Sequence, residues 1–202
     1  MSVEAVKKLY VNGYSVSIFQ DDSAESPREW DNVGTMQSFE SRFGPNELSC
    51  YGYEFNQLVV ELADKGANFK THTDDIPDVH IWRALRKHWI VLPFWRDHYG
   101  EYTVDDIELA PSDCSCDGVI FMAVSDMKNR GFTDRERAIE CLKSEAETYG
   151  QYASGDVYGF VIEDEHGEHI DSCWGFYGLE YCISEAKGIA SRLDCNSGVG
   201  TE

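Results

Sequence analysis

The spacing of apolar residues along the chain predicts a mixture of strands and helices. Tyr14-Ser-Val-Ser-Ile-Phe19 alternates apolar with small polar residues, the period of a half-buried strand. A loop rich in turn formers follows, from Asp21 to Gly34. Phe55, Leu58, Val59 and Leu62 recur at helical spacing, with Gly66 placed to end that helix. Asp74-Asp75-Ile-Pro77 reads as the entry to a second helix carrying Ile81, Trp82 and Leu85. Trp89-Ile-Val-Leu-Pro-Phe94 and Val119-Ile-Phe-Met-Ala-Val124 are continuous apolar runs of the kind found in strands buried on both faces. Pro93 cannot donate to a ladder, so it belongs at a bulge, an edge or a strand end.

The second half of the chain continues the mixture. Thr133 and Glu136 have capping-box spacing, and Ile139, Leu142, Ala146 and Tyr149 mark one face of the helix they open, which Gly155 closes. Val157–Ile162 and Ile170–Trp174 read as a hairpin turning around Glu165-His166-Gly167. A last helix carries Cys182, Ile183, Ala186, Ile189 and Leu193. This irregular order of helices and hairpins predicts an α+β fold: a mixed or antiparallel sheet packed against three to four helices. One domain is expected over residues 1–195, with a flexible tail over 196–202. The aromatic groups Trp82/Trp89/Phe94/Trp95 and Trp174/Phe176/Tyr177 are expected in the core.

Charge changes the picture more than any motif does. Among 202 residues, 37 Asp and Glu face 17 Lys and Arg, a net charge of -20. That excludes a direct binder of nucleic acid or anionic membrane, which needs a basic footprint. The excess is uneven: residues 1–100 hold 15 acids and 10 bases, whereas 101–202 hold 22 and seven. Two windows, Asp97–Met127 and Ser144–Ala186, contain no Lys or Arg. In and just before the second, Glu147 and Glu140 are expected on the exposed side of the helix that begins near Thr133. Glu163, Asp164, Glu165, Glu168 and Asp171 surround the hairpin turn. Together these seven are the expected partner-binding residues. Solubility alone needs a net charge of magnitude only ~2–8. A carboxylate surface can instead imitate duplex DNA, with its one charge per ~1.7 Å, toward a basic cleft. The expected partner is thus a nucleic-acid-binding protein, and replacing the four hairpin acids by Lys is expected to abolish binding without unfolding.

Chemistry in the strict sense is thin. Cys114-Ser-Cys116 with Asp113 and Asp117, and His166-Gly-Glu-His169 with Cys173, fall short of the paired ligands of a structural zinc site. Asp105, Asp106, Asp113 and Asp117 have no calcium-loop spacing. No nucleophile elbow, Walker A or G-x-G-x-x-G loop is present. Gly175-Phe-Tyr-Gly178 reads as a structural turn. No cofactor and no enzymatic activity is expected; the alternative is a small metal-dependent or thiol enzyme built on Asp97, His98 and the Cys114–Cys116 segment. Residues 1–8 lack the apolar core of a signal peptide, so a cytoplasmic protein with free thiols is expected.

Several segments resemble a family of small proteins encoded mainly by bacteriophages and other mobile elements, for which no activity is established. They are Pro27-Arg-Glu-Trp-Asp-Asn-Val-Gly34, Ile90-Val-Leu-Pro93 with Asp97-His98, Glu147-Thr-Tyr-Gly-Gln-Tyr152, Val157-Tyr-Gly-Phe-Val-Ile-Glu-Asp164 and Ile170-Asp-Ser-Cys-Trp-Gly-Phe-Tyr-Gly178. The last is the most specific. Where similar proteins carry Ser-Cys-Pro-Trp-Asp, this chain has Ser112-Asp-Cys-Ser-Cys-Asp117. The resemblance implies no catalytic residue. It implies a setting, the infected host cell, and by analogy with unrelated acidic inhibitors of restriction and CRISPR enzymes the expected partner there is a host defence nuclease.

Overall fold

A computed structural model describes residues 4–39, 44–48, 55–70, 76–96, 102–104 and 116–196. The fold is α+β, as the pattern predicts, with all its strand pairs antiparallel and grouped in two four-stranded sheets. Within the span expected as one domain the chain divides into two compact units: Met1–Ser26 with Gln151–Glu202, and Pro27–Gly150.

The first unit is a sheet in the order β1 (Lys7–Val11), β2 (Tyr14–Gln20), β7 (Val157–Glu163) and β8 (His169–Tyr177), with α4 (Leu179–Asn196) packed on it. Residues directly opposed across a ladder share a face. Val16 and Ile18 therefore stand beside Ile162 and Phe160, and α4 covers them with Cys182, Ile183, Ala186 and Ala190. β1 was not anticipated from the pattern. Asn12-Gly13, with φ of 52° and 85°, makes the tight turn that pairs it to β2.

The second unit has the sheet order β3 (Thr35–Ser38), β6 (Gly118–Ala123), β4 (Trp89–Arg96) and β5 (Tyr102–Val104). One face, through Val91, Val119 and Phe121, packs on α1 (Phe55–Ala67) and α2 (Asp78–His88). The other presents Ile90, Leu92, Phe94, Met36 and Ile120, all fully buried. α3 (Arg135–Ser154) lies on that side: Tyr149 packs edge-to-face with Tyr102, which packs edge-to-face with Phe94. A Cβ added to Gly34 would meet both Leu142 and Ile120. Two-sided cover explains the unbroken apolar runs of β4 and β6. Pro93 fits because β5 begins pairing one residue later, at Phe94.

Two helix ends differ from expectation. α3 is capped by Asp134, not Thr133: its Oδ1 accepts the Arg137 N–H at 2.9 Å, and the Thr133 hydroxyl donates to its Oδ2. A carboxylate is the stronger acceptor and carries the charge favoured at a helix N-terminus. Gly66 does not end α1; Asn68, at φ 51°, takes the left-handed position after it. Gly66 is small because α2 comes close, a Cβ there standing 2.5 Å from His88 Cβ.

Candidate partner-binding surface

The face of the first sheet away from α4 is built by alternation. β1 places Lys8 and Tyr10 on it, β2 Ser15, Ser17 and Phe19, and β7 Gly159, Val161 and Glu163. β8 adds Ser172 and Trp174. Trp174 is 49% exposed and Tyr10 80%. Trp174 was expected in the core with Phe176 and Tyr177; the edge position of β8 leaves it half in solvent instead. Phe176 does face α4, packing on Phe160 and Tyr181.

Glycine determines where that tryptophan lies. A Cβ on Gly159 would stand 2.2 Å from Trp174 Cε3, so the indole rests on bare backbone, tilted against Phe19 at 6.2 Å between centroids. Opposite Gly159 the register of β8 slips between Cys173 and Phe176, and Gly175 takes φ 82°. This is a bulge with its glycine in the left-handed region, a device that twists an edge strand away from further pairing. Gly175 N–H donates to Asp21 Oδ2 at 3.2 Å, and the Tyr177 hydroxyl donates to Glu25 O at 2.7 Å. Burial pushes the Tyr177 phenol up, with Tyr152, Glu25 and Asp21 adding to the shift. The loop of Asp21, Asp22 and Glu25 is thereby fastened to the end of β8 beside Trp174. Gly178, at φ 90°, turns the chain into α4. The Asp171–Gly178 run is thus accounted for by the fold.

The other end of β8 is the hairpin turn, and its acids have different duties. Asp164 Oδ1 accepts N–H bonds from His166 and Glu168, both at 2.8 Å, while Asp164 N–H donates to Glu168 O at 3.0 Å. The Glu168 N–H foremost, then that of His166, hold the Asp164 carboxyl below its ordinary range. Asp164 therefore orders the turn, and its replacement by Lys removes the acceptor of two N–H bonds at the hairpin tip. Glu165 and Glu168 are exposed and Glu163 is half-buried on the Trp174 face. Asp171 lies opposite Ile162, so it stands on the α4 face rather than with Glu163.

Glu140 and Glu147 are exposed on α3, as expected, but belong to the second unit. Glu145, in the same base-free window, is part of the interior. It accepts the Val33 and Gly34 N–H groups at 2.6 and 3.0 Å and pairs with Arg28 at 3.1 Å, the side chains only 13% and 8% exposed. Arg28 also pairs with Glu47. The Pro27–Gly34 segment thus carries the ion that ties a loop to α3.

Sequence reasoning missed Asp21, Asp22 and Glu25, which lie in the less acidic half, along with the exposed Tyr10 and Trp174. Only the long-range pairing of β2 with β7 reveals them as neighbours of the hairpin strand. The first unit contains 14 acids and four bases. Among the described residues of the Trp174 face, Lys8 is the only Lys or Arg.

Of the alternative, enzymatic constellation, Asp97, His98 and Cys114 lie outside the described residues, as do Asp105, Asp106 and Asp113. Cys116 packs against the α1–α2 core, and Asp117 Oδ2 accepts the Arg96 N–H. Among the described residues no three His, Cys, Asp or Glu side chains converge as metal ligands. Burial pushes the Cys182 thiol up to about 11, with Cys173 nearby adding to the shift. No helix among the described residues is long and apolar enough to cross a membrane. No protein-family model, curated protein or solved structure matches the chain.

Proposed function

We propose that the chain is a stoichiometric binding protein that takes a basic partner on the Trp174 face of its first unit. The observation that carries this reading is a half-exposed tryptophan, seated on a glycine and flanked by acids at both ends of its strand. Asp21, Asp22 and Glu25 stand at one end, and Glu163, Glu165 and Glu168 at the other. Interfaces draw most of their binding energy from a few aromatic and charged anchors at a desolvated centre. Surrounding charges of one sign speed encounter with a partner of the other. An indole face next to carboxylates suits Arg and Lys, through cation–π contact and ion pairing together.

Proteins that bind nucleic acid are the class richest in such basic surfaces. The chain then occupies a nucleic-acid cleft as a competitor. In the setting implied by the resemblance, the partner is a host defence nuclease in the cytoplasm of the infected cell.

The test is capture on the immobilised chain from bacterial lysate, followed by a salt titration. The expected partner is a basic protein that elutes as salt rises and loses its nucleic-acid binding when complexed. Reversing Glu163, Glu165 and Glu168 to Lys, with Asp164 retained, should abolish capture. A partner indifferent to that reversal, or one that binds nucleic acid and the chain together, overturns the reading.

A further inference from the structure

A second surface, in the other unit, has the opposite character. Phe69, Ile76, His80, Arg83, Ala84 and Lys87 are among the residues lining an open depression of about 650 Å³ between the end of α1 and one stripe of α2. That volume is in the range of small-molecule sites, which combine an apolar lining with a few polar groups. The floor is apolar, through Ala67, Phe69, Ile76 and Ala84. The rim carries two fixed cations, Arg83 and Lys87, one helical turn apart on α2.

Two features set this rim apart. In a chain of net charge -20, His80, Arg83, Lys87 and His88 make no ion pair with the described residues. Arg83 and Lys87, four positions apart, repel one another, an arrangement that weakens a helix. The dipole of α2 accounts for Lys87 and His88, which lie in its last turn, but not for Arg83 and His80. Gly66 lets α1 approach His88 closely, and the small Ala67 and Ala84 are among the lining residues beside that contact.

We propose that this cleft binds a small organic phosphate, its phosphate on Arg83 and Lys87 and its apolar body on the floor of Phe69, Ile76 and Ala84. Phosphate matches several converging donors because it presents three strongly accepting oxygens, and charge-assisted hydrogen bonds are the strong ones. The proposal is independent of the Trp174 face, which lies in the other unit.

The test is calorimetric titration of the full chain with a nucleoside monophosphate and, separately, with inorganic phosphate. A single saturable site is expected for the nucleotide, with inorganic phosphate at least ~10-fold weaker because it leaves the floor empty. Arg83→Gln with Lys87→Gln should weaken nucleotide binding ~10-fold or more, as loss of charge-assisted bonds does. Ala67→Trp, which fills the floor and keeps both cations, should block the nucleotide; either set is checked for folding by circular dichroism. Reversal of Glu165 and Glu168 should change nothing. Absence of saturation, equal affinity for both anions, or nucleotide binding unaltered in the folded variants overturns the proposal.

Discussion

The two sheets contain the same number of strands and use them in opposite ways. In the second unit β4 is buried at five of its eight positions and β6 at five of six, between α1 and α2 on one face and α3 on the other. In the first unit α4 covers one face, while β8 at the edge is exposed at six of its nine positions. A sheet covered on both sides is committed to its core. One covered on a single side has a face left for other work, and there the exposed Trp174 sits among carboxylates. The same contrast separates two acids of one base-free window: Glu145 is built into the second unit through Arg28, whereas Glu165 projects from the hairpin of the first.

The sharpest way to break that comparison is to truncate one anchor in each sheet. Leu142→Ala removes a fully buried side chain from the α3 side of the second unit and should cost about 2–5 kcal/mol, read by urea unfolding. Trp174→Ala should cost less than about 2 kcal/mol despite the larger side chain, because half of the indole is already in water. The reverse order of losses would show that the Trp174 face is core. The two acids give a second contrast. Glu145→Gln removes one of the carboxylates that face the buried Arg28 and should cost about 1.5–3 kcal/mol. Gln at both Glu165 and Glu168 should leave the unfolding midpoint within experimental error while weakening partner capture.

A smaller effect separates the indole's position from its mere presence. Gly159→Ala drives a methyl group into the ring of Trp174, displacing it at a cost of about 1–3 kcal/mol. The indole has to shift off its seat, so tryptophan fluorescence should change and partner capture should fall. Unchanged fluorescence would mean that Gly159 does not seat the ring.

Much of the fold was legible because periodicity reports burial. The unbroken apolar runs became the central strands β4 and β6, and the alternating run at Tyr14 became β2. The hairpin signal around Gly167 was also correct. β1 was missed although Asn12-Gly13 is a strong turn signal, because Lys7–Val11 is too polar to show an apolar period. The acids were legible as a list and not as a surface. Pleating puts Glu163 and Asp171 on opposite faces, and Asp164 is consumed by the turn. Asp21 and Glu25 join the surface only through hydrogen bonds to residues some 150 positions away. Trp174 resembled core by composition, and only its place on an edge strand says otherwise. No local pattern encodes which strand is last in a sheet.

The smallest predicted effect concerns the turn that carries the exposed acids. Asp164 is held below its ordinary range by N–H bonds that favour its charged form. Its contribution to the hairpin is therefore complete above the unfolded Asp pKa of about 3.9, and is lost as pH falls through the lower folded value. Amide exchange at His166 and Glu168, followed by NMR, should accelerate only below about pH 4, where a free Asp would protonate. Asp164→Asn keeps an acceptor that forms the same turn. It should remove this pH dependence while preserving the two protected amides. Asp164→Lys should expose both amides at every pH, and with them unfix the loop from which Glu165 and Glu168 project. If partner capture survives Asp164→Lys but not the reversal of Glu165 and Glu168, the partner reads the charge of the hairpin rather than its shape. That outcome would loosen the link between the ordered Trp174 face and the acids at its end.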